Sequence, residues 1–248
     1  MTSSTGGPMV PGSVARDLAA GLALALAAAA ATWWLVRAPA SHVAVAASLY
    51  VGLAALIVLG LPSDLPRPGI GPANRVTLGR AALAMPVLAL AVGPAGAEPA
   101  TAWWVTALST AVMALDGVDG RVARRTRTRS AFGARFDMEV DAALILALSV
   151  HVWTSGRAGV WVLSIGLLRY VFVAAARVRP ALGAELPESL RRKVVCVIQG
   201  VVLLVALGPI IPAGLATAVL VAGLMALVSS FAVDVVWALQ HERAVRGS

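Results

Sequence analysis

The sequence predicts an all-α integral membrane protein with eight transmembrane helices, on three observations. Hydrophobic residues make up 59% of the 248-residue chain and charged residues 13%, about half the charged share of a soluble domain. Mean hydropathy is +0.86, and the apolar residues gather into runs near the ~20 residues that span a bilayer. The basic residues concentrate in alternate connections between those runs, the pattern that orients a polytopic protein in its membrane.

Residues 1–15, rich in Ser, Gly and Pro and without charge, read as a disordered tail. The first apolar run, 17–36, begins only after Arg16 and Asp17, and no small-residue cleavage site ends it before Trp33. It therefore reads as a span and not as a secretory signal. A second span is expected over 42–61, and these two make an N-terminal extension, 16–62. The stretch 63–78, SDLPRPGIGPANRVTL, is too polar to cross and is expected at the interface. Further spans are predicted over 79–97, 101–122, 136–155, 158–178, 193–211 and 214–238, several of them separated by Gly-Pro and Pro-Arg-Pro punctuation.

Only Arg37 and Arg157 fall on the side of the 37–42, 98–100 and 155–158 turns, and Arg169 lies within a span. The remaining Lys and Arg residues cluster at the N-terminus, 67–80, 121–135, 177–193 and the C-terminus. That side is expected to be cytoplasmic, with both termini on it. Trp33, Trp34, Trp103, Trp104, Trp153 and Trp161 gather near the other face, at the headgroup level that amphipathic rings prefer. The net charge of +8 is thus a topology and anionic-lipid signal. No aromatic-interleaved basic motif accompanies it, which argues against nucleic acid as a partner. The single cysteine, Cys196, sits in an apolar run and reads as a small packing residue, with no disulfide framework.

The chemistry concentrates in residues 116–141, DGVDGRVARRTRTRSAFGARFDMEVD. Asp116, Asp119, Gly120, Ala123 and Arg124 share one helical stripe, and Gly133, Asp137 and Asp141 share another on the next helix. Carboxylates at a membrane edge are functional candidates. Four that converge raise one another's pKa unless a cation compensates them. All-oxygen ligands suit Mg²⁺, Mn²⁺ or Ca²⁺, and His42, His151 and His241 are too scattered for a zinc site. A metal pair beside small residues and an arginine suits a pyrophosphate. Gly120, Ala123 and Gly133 leave room for a nucleotide base against helix backbone, or serve close helix packing.

These residues fit D-x2-D-G-x2-A-R-x8-G-x3-D-x3-D at all eight fixed positions, and the chain thereby resembles the CDP-alcohol phosphotransferases. The resemblance covers 63–248, implying a six-helix transmembrane core to which the first two helices are additional. It implies attack of an acceptor hydroxyl on the β-phosphorus of a CDP-alcohol, with release of CMP. It further implies two metal ions on Asp116, Asp119 and Asp137, with Asp141 as general base that also reaches the second metal. Gly120, Ala123, Arg124 and Gly133 would hold the CDP portion. Asn74, Thr77 and Arg80 look like the family's N-x2-T-x2-R element, expected to close over the nucleotide, or else an ordinary helix start with interfacial anchors. Arg191, Arg192, Lys193 and Gln199 resemble the basic start of the family's fifth helix. Arg129, Arg135, Arg177, Arg191 and Lys193 are expected to meet an acceptor phosphate. A homodimer is implied by the resemblance alone.

CDP-diacylglycerol is the expected donor and glycerol or inositol phosphate the expected acceptor, in the plasma membrane of a bacterium. Three alternatives stand beside it: transfer of a CDP-linked head group to a lipid alcohol, a divalent-cation transporter using the aspartates as an ion path, and a non-catalytic membrane scaffold, against which the complete aspartate set argues. The acids cluster at one face and no other span carries a mid-membrane acid, which disfavours transport.

Overall fold

The computed structural model describes residues 12–62, 69–93, 98–126, 130–179 and 189–247, and side chains throughout these except in 118–126 and 242–247. The described elements are α1 (Gly12–Val36), α2 (Ser41–Leu59), α3 (Pro72–Val92), α4 (Pro99–Thr126), α5 (Ala131–Thr154), α6 (Leu163–Val178), α7 (Leu190–Leu207) and α8 (Ala213–Gly247). A 3₁₀ turn, Val160–Val162, leads into α6, and no strand occurs among the described residues. Among the described residues five segments are long and apolar enough to cross a membrane: α1, α2, α3, the turn with α6, and α8 over 213–241. The sequence reading also counts α4, α5 and α7 as spans. Each of these carries charge inside the helix, as in Arg191, Arg192 and Lys193 of α7, so its uninterrupted apolar stretch is shorter.

The chain divides into two compact units, one of Met1–Pro94 and Leu108–Asp141, the other of Ala95–Ala107 and Ala142–Ser248. In the first, α1, α2 and α3 pack mutually. α3 is the central helix: 61% of its apolar window is buried, against 17–28% in the other candidate spans, so those keep most of their surface for lipid. Ala25, Ala29, Ala46, Tyr50, Ala81, Ala82, Met85 and Ala89 fill its core with Phe136 and Val140 of α5. The many alanines let helix backbones approach closely, which drives association in lipid where no hydrophobic effect separates helices from solvent. Tyr50 donates its hydroxyl to the Leu18 carbonyl at 2.8 Å, joining α2 to α1.

Several boundaries differ from the sequence reading. Residues 12–15, expected in the tail, form the first turn of α1, because Val14 is buried in the core. Residues 72–78, expected to lie outside a span, open α3: Pro72 stands at the helix start, where its fixed φ is already helical and its missing N–H is not needed. α8 continues to Gly247, beyond the expected edge at 238.

In the second unit α7 packs against α8. Gln199 donates to the Gly223 carbonyl at 3.0 Å, and Phe172 meets Phe231 edge-on with centroids 5.3 Å apart. Gly166 of α6 lets Leu146 of α5 approach until an added Cβ would stand 2.5 Å from its Cα. α5 ends in a Schellman arrangement with Gly156 at φ 70°, the N–H of Arg157 reaching the Val152 carbonyl at 3.1 Å. Arg157, one of the two arginines on the arginine-poor side, then bonds the carbonyls of Ala206 (2.9 Å), Gly208 (3.0 Å) and Ile211 (2.6 Å). It closes the C-terminus of α7, whose last carbonyls have no partner within the helix. That role accounts for a cation where the charge pattern disfavours one.

Candidate active site

α5 is started by Ser130, whose Oγ accepts the N–H of Gly133 at 3.0 Å, the N-cap bond that satisfies a donor of the first turn. From that start two stripes run up the helix. Phe132, Phe136 and Val140 pack against the core of the first unit. Gly133, Asp137 and Asp141, each one position on, lie about 100° around the helix. On α4 the stripe passes through Val112 and Asp116, one turn apart.

Asp116, Asp137 and Asp141 come together in space, each offering an oxygen within 4.8 Å of the others. Arg80 of α3 lies in their midst. Its Nη1 contacts Asp116 Oδ1 at 2.9 Å and also Asp137 Oδ1. Its Nη2 reaches Asp141 Oδ1 at 2.6 Å, and its Nε donates to the Val112 carbonyl at 3.2 Å. The arginine side chain is 0% exposed, while the carboxylates keep 37%, 37% and 26%. One planar guanidinium thus joins α3, α4 and α5. The four groups carry a formal charge of −2, which one divalent cation would neutralise.

The donors fit such a cation. They are hard oxygens, and their spread approaches the ~4.2 Å that opposite ligands span across Mg²⁺ at ~2.1 Å per bond. The cation they surround in this structure is the Arg80 guanidinium.

Asn74 and Thr77 are buried on the same helix as Arg80. Asn74 donates to the Ile70 carbonyl at 2.7 Å, and Thr77 Oγ1 lies 3.4 Å from the Ala73 carbonyl. The space that Gly133 leaves open is taken by Asn74: a Cβ there would stand 2.5 Å from Asn74 Oδ1. The side chains of Asp119, Gly120, Ala123 and Arg124 lie outside the described residues, as does Arg129, although α4 continues helical through 126.

Of the expected acceptor contacts, Arg135 is exposed in the first unit, and its Nε lies 3.5 Å from the Ala131 carbonyl of its own helix. Arg177 and Lys193 are exposed in the second unit. Arg191 is engaged by α8: it reaches the Ser230 carbonyl and Asp234 Oδ1, both at 2.5 Å, and also Ser230 Oγ. Arg192 adds a 3.3 Å contact to Asp234. Neither pairing was foreseen from sequence. A signal existed for Arg80, because an arginine leading into the apolar run 81–92 needs a counter-charge.

Fold and site together define a membrane-embedded enzyme with an acidic cluster able to hold a divalent metal. The CDP-alcohol phosphatidyltransferase family model matches residues 71–232, and the chain belongs to that family. Its members are phosphotransferases that move a phosphatidyl group from a CDP-alcohol and use divalent metal. Neither a curated protein nor a solved structure matches the chain.

Proposed function

We propose that the protein transfers the phosphatidyl group of CDP-diacylglycerol to the hydroxyl of a small phosphorylated polyol, glycerol phosphate or inositol phosphate, releasing CMP. The observation that carries this is the convergence of Asp116 of α4 with Asp137 and Asp141 of α5 around the Arg80 guanidinium. Asp116, Asp119 and Asp137 would hold two Mg²⁺ or Mn²⁺ ions, with Asp141 as a further ligand. When bound, the ions neutralise phosphoryl charge and orient the attacking and leaving oxygens. Asp141 accepts the proton of the acceptor hydroxyl as its oxygen bonds to the β-phosphorus. The bond from that phosphorus to the oxygen bridging to CMP breaks, and CMP leaves with the electron pair. Gly120, Ala123, Arg124, Gly133, Asn74, Thr77 and Arg80 seat the CDP portion.

The exposed cations Arg135, Arg177 and Lys193 suit a phosphorylated acceptor, with Arg129 and Arg191 completing the set. Residues 63–248 form the catalytic domain, with six transmembrane helices and the site on the cytoplasmic side of a bacterial plasma membrane, in a homodimer. Exposed Trp33, Trp34, Trp103 and Trp153 support the opposite interface.

The test is CMP release by detergent-purified protein supplied with CDP-diacylglycerol, Mg²⁺ or Mn²⁺ and a panel of free and phosphorylated polyols. Release should require one acceptor and the metal, and disappear in Asp141→Asn. A tail-less donor that works with a lipid alcohol would reverse which substrate carries the lipid. No release from any pairing, CDP-choline and CDP-ethanolamine included, sinks the proposal.

A further inference from the structure

The matched family region starts at residue 71, so α1 and α2 stand outside it, yet α1 grips the segment that starts α3. Ser13 and Asp17 lie one turn apart on α1. Ser13 Oγ accepts the N–H of Gly69 at 3.1 Å. Asp17 Oδ2 accepts the N–H of Ile70 at 3.1 Å, and its Oδ1 pairs with Arg75 Nε at 2.9 Å. The Asp17 side chain is only 13% exposed, so these bonds replace most of its water. The turn that presents two successive N–H groups to α1 needs Gly69 at φ 74° and Gly71 at φ 89°, a region closed to most side chains. Val14 and Ile70 are both buried in the same core cluster.

The grip is relayed to the site in one residue. Ile70 gives its N–H to Asp17 and its carbonyl to Asn74. Asn74 fills the space beside Gly133 at the start of α5, and Arg80 follows on the same helix among the aspartates. We infer that Asp17 is a positioning residue for the reaction: the N-terminal extension clamps residues 69–75 and so seats Asn74 for the nucleotide of the donor. This rests on the donor reading above, under which Asn74 meets CDP.

The test uses the full chain in detergent, with Asp17→Ala, Asp17→Asn and Tyr50→Phe. Tyr50→Phe removes the α2-to-α1 bond but leaves the clamp, and so reports general loosening. Amide exchange over 69–78 should accelerate in Asp17→Ala and not in Tyr50→Phe. The KM for CDP-diacylglycerol should rise about three- to tenfold in Asp17→Ala, the scale of residues that act on a site through an intervening element. The acceptor KM should not move, and Asp17→Asn, which keeps an acceptor oxygen for Ile70, should restore part of the donor affinity. Unchanged protection of 69–78, an unchanged donor KM, or an equal rise in Tyr50→Phe would each overturn the inference. Wild-type protein that releases no CMP defeats the donor reading instead. Amide exchange then decides the clamp alone, lost protection supporting it and retained protection ending it.

Discussion

Arg80→Met removes the cation that the three aspartates share among the described residues, while keeping most of the apolar stem. Removing one partner of a buried ion pair costs about 3–5 kcal/mol. The carboxylates keep 26–37% of their surface in contact with solvent, which places the loss in metal-free buffer near about 3 kcal/mol. The same change should tighten metal binding. The formal charge of the cluster goes from −2 to −3, and a unit charge no longer repels the incoming ion. At ~4 Å in a water-like dielectric that repulsion is about 2 kcal/mol, or about thirtyfold in dissociation constant. At equal free Mn²⁺ the stability gap to the wild type should then narrow from about 3 to about 1 kcal/mol. Calorimetric titration of Mn²⁺ into protein without substrate, with thermal unfolding in chelator and in Mn²⁺, reads both quantities. Arg80→Lys, which keeps a charge but cannot bridge three carboxylates, should fall between. Folded Arg80→Met with unchanged or weaker Mn²⁺ affinity would show that Arg80 preorganises the aspartates and does not compete with the ion.

Gly133→Ala puts a Cβ 2.5 Å from Asn74 Oδ1 and 3.2 Å from Ser130 Oγ. Overpacking of this kind costs about 1–3 kcal/mol, and displacement of Asn74 should lower donor affinity, read as KM in the CMP-release assay. Arg157→Ala removes the bonds to the carbonyl of Ala206 at the end of α7 and to those of Gly208 and Ile211 in the turn that follows, of which Gly208 keeps the N–H of Ile211 at 3.0 Å. Thermal unfolding should register a loss of about 2–3 kcal/mol, while activity per folded molecule is retained. Arg191→Ala leaves Asp234, 9% exposed at its side chain, with Arg192 at 3.3 Å as its remaining cation among the described residues. It should destabilise the protein, and Asp234→Asn in the same chain should recover stability. An acceptor KM that rises in Arg191→Ala and stays raised in the double variant would assign the arginine to the acceptor as well.

Much of the molecule was legible in the chain because its signals are local. Apolar runs near bilayer length, the basic connections between them and the aspartates at helical spacing follow from hydropathy and a 3.6-residue period. They therefore specified the class, the approximate helix limits and the stripe Gly133–Asp137–Asp141. The family motif did the same for the reaction type. The missed helix starts at Gly12 and Pro72 were decided by burial of Val14 and by the turn at Gly69–Gly71, which hydropathy does not register.

Only the tertiary structure decided which charges meet. Arg80 had an expected place over the nucleotide, and Arg191 one at the acceptor phosphate. Packing of α3 against α4 and α5 puts Arg80 among Asp116, Asp137 and Asp141, and packing of α7 on α8 hands Arg191 to Asp234. Asp17, which in sequence only marks the start of an apolar run, becomes the partner of Ile70 and Arg75 more than fifty residues away. A side chain's period along its own helix settles the face it presents. Its partner depends on which other helix lies against that face, and no local pattern carries that.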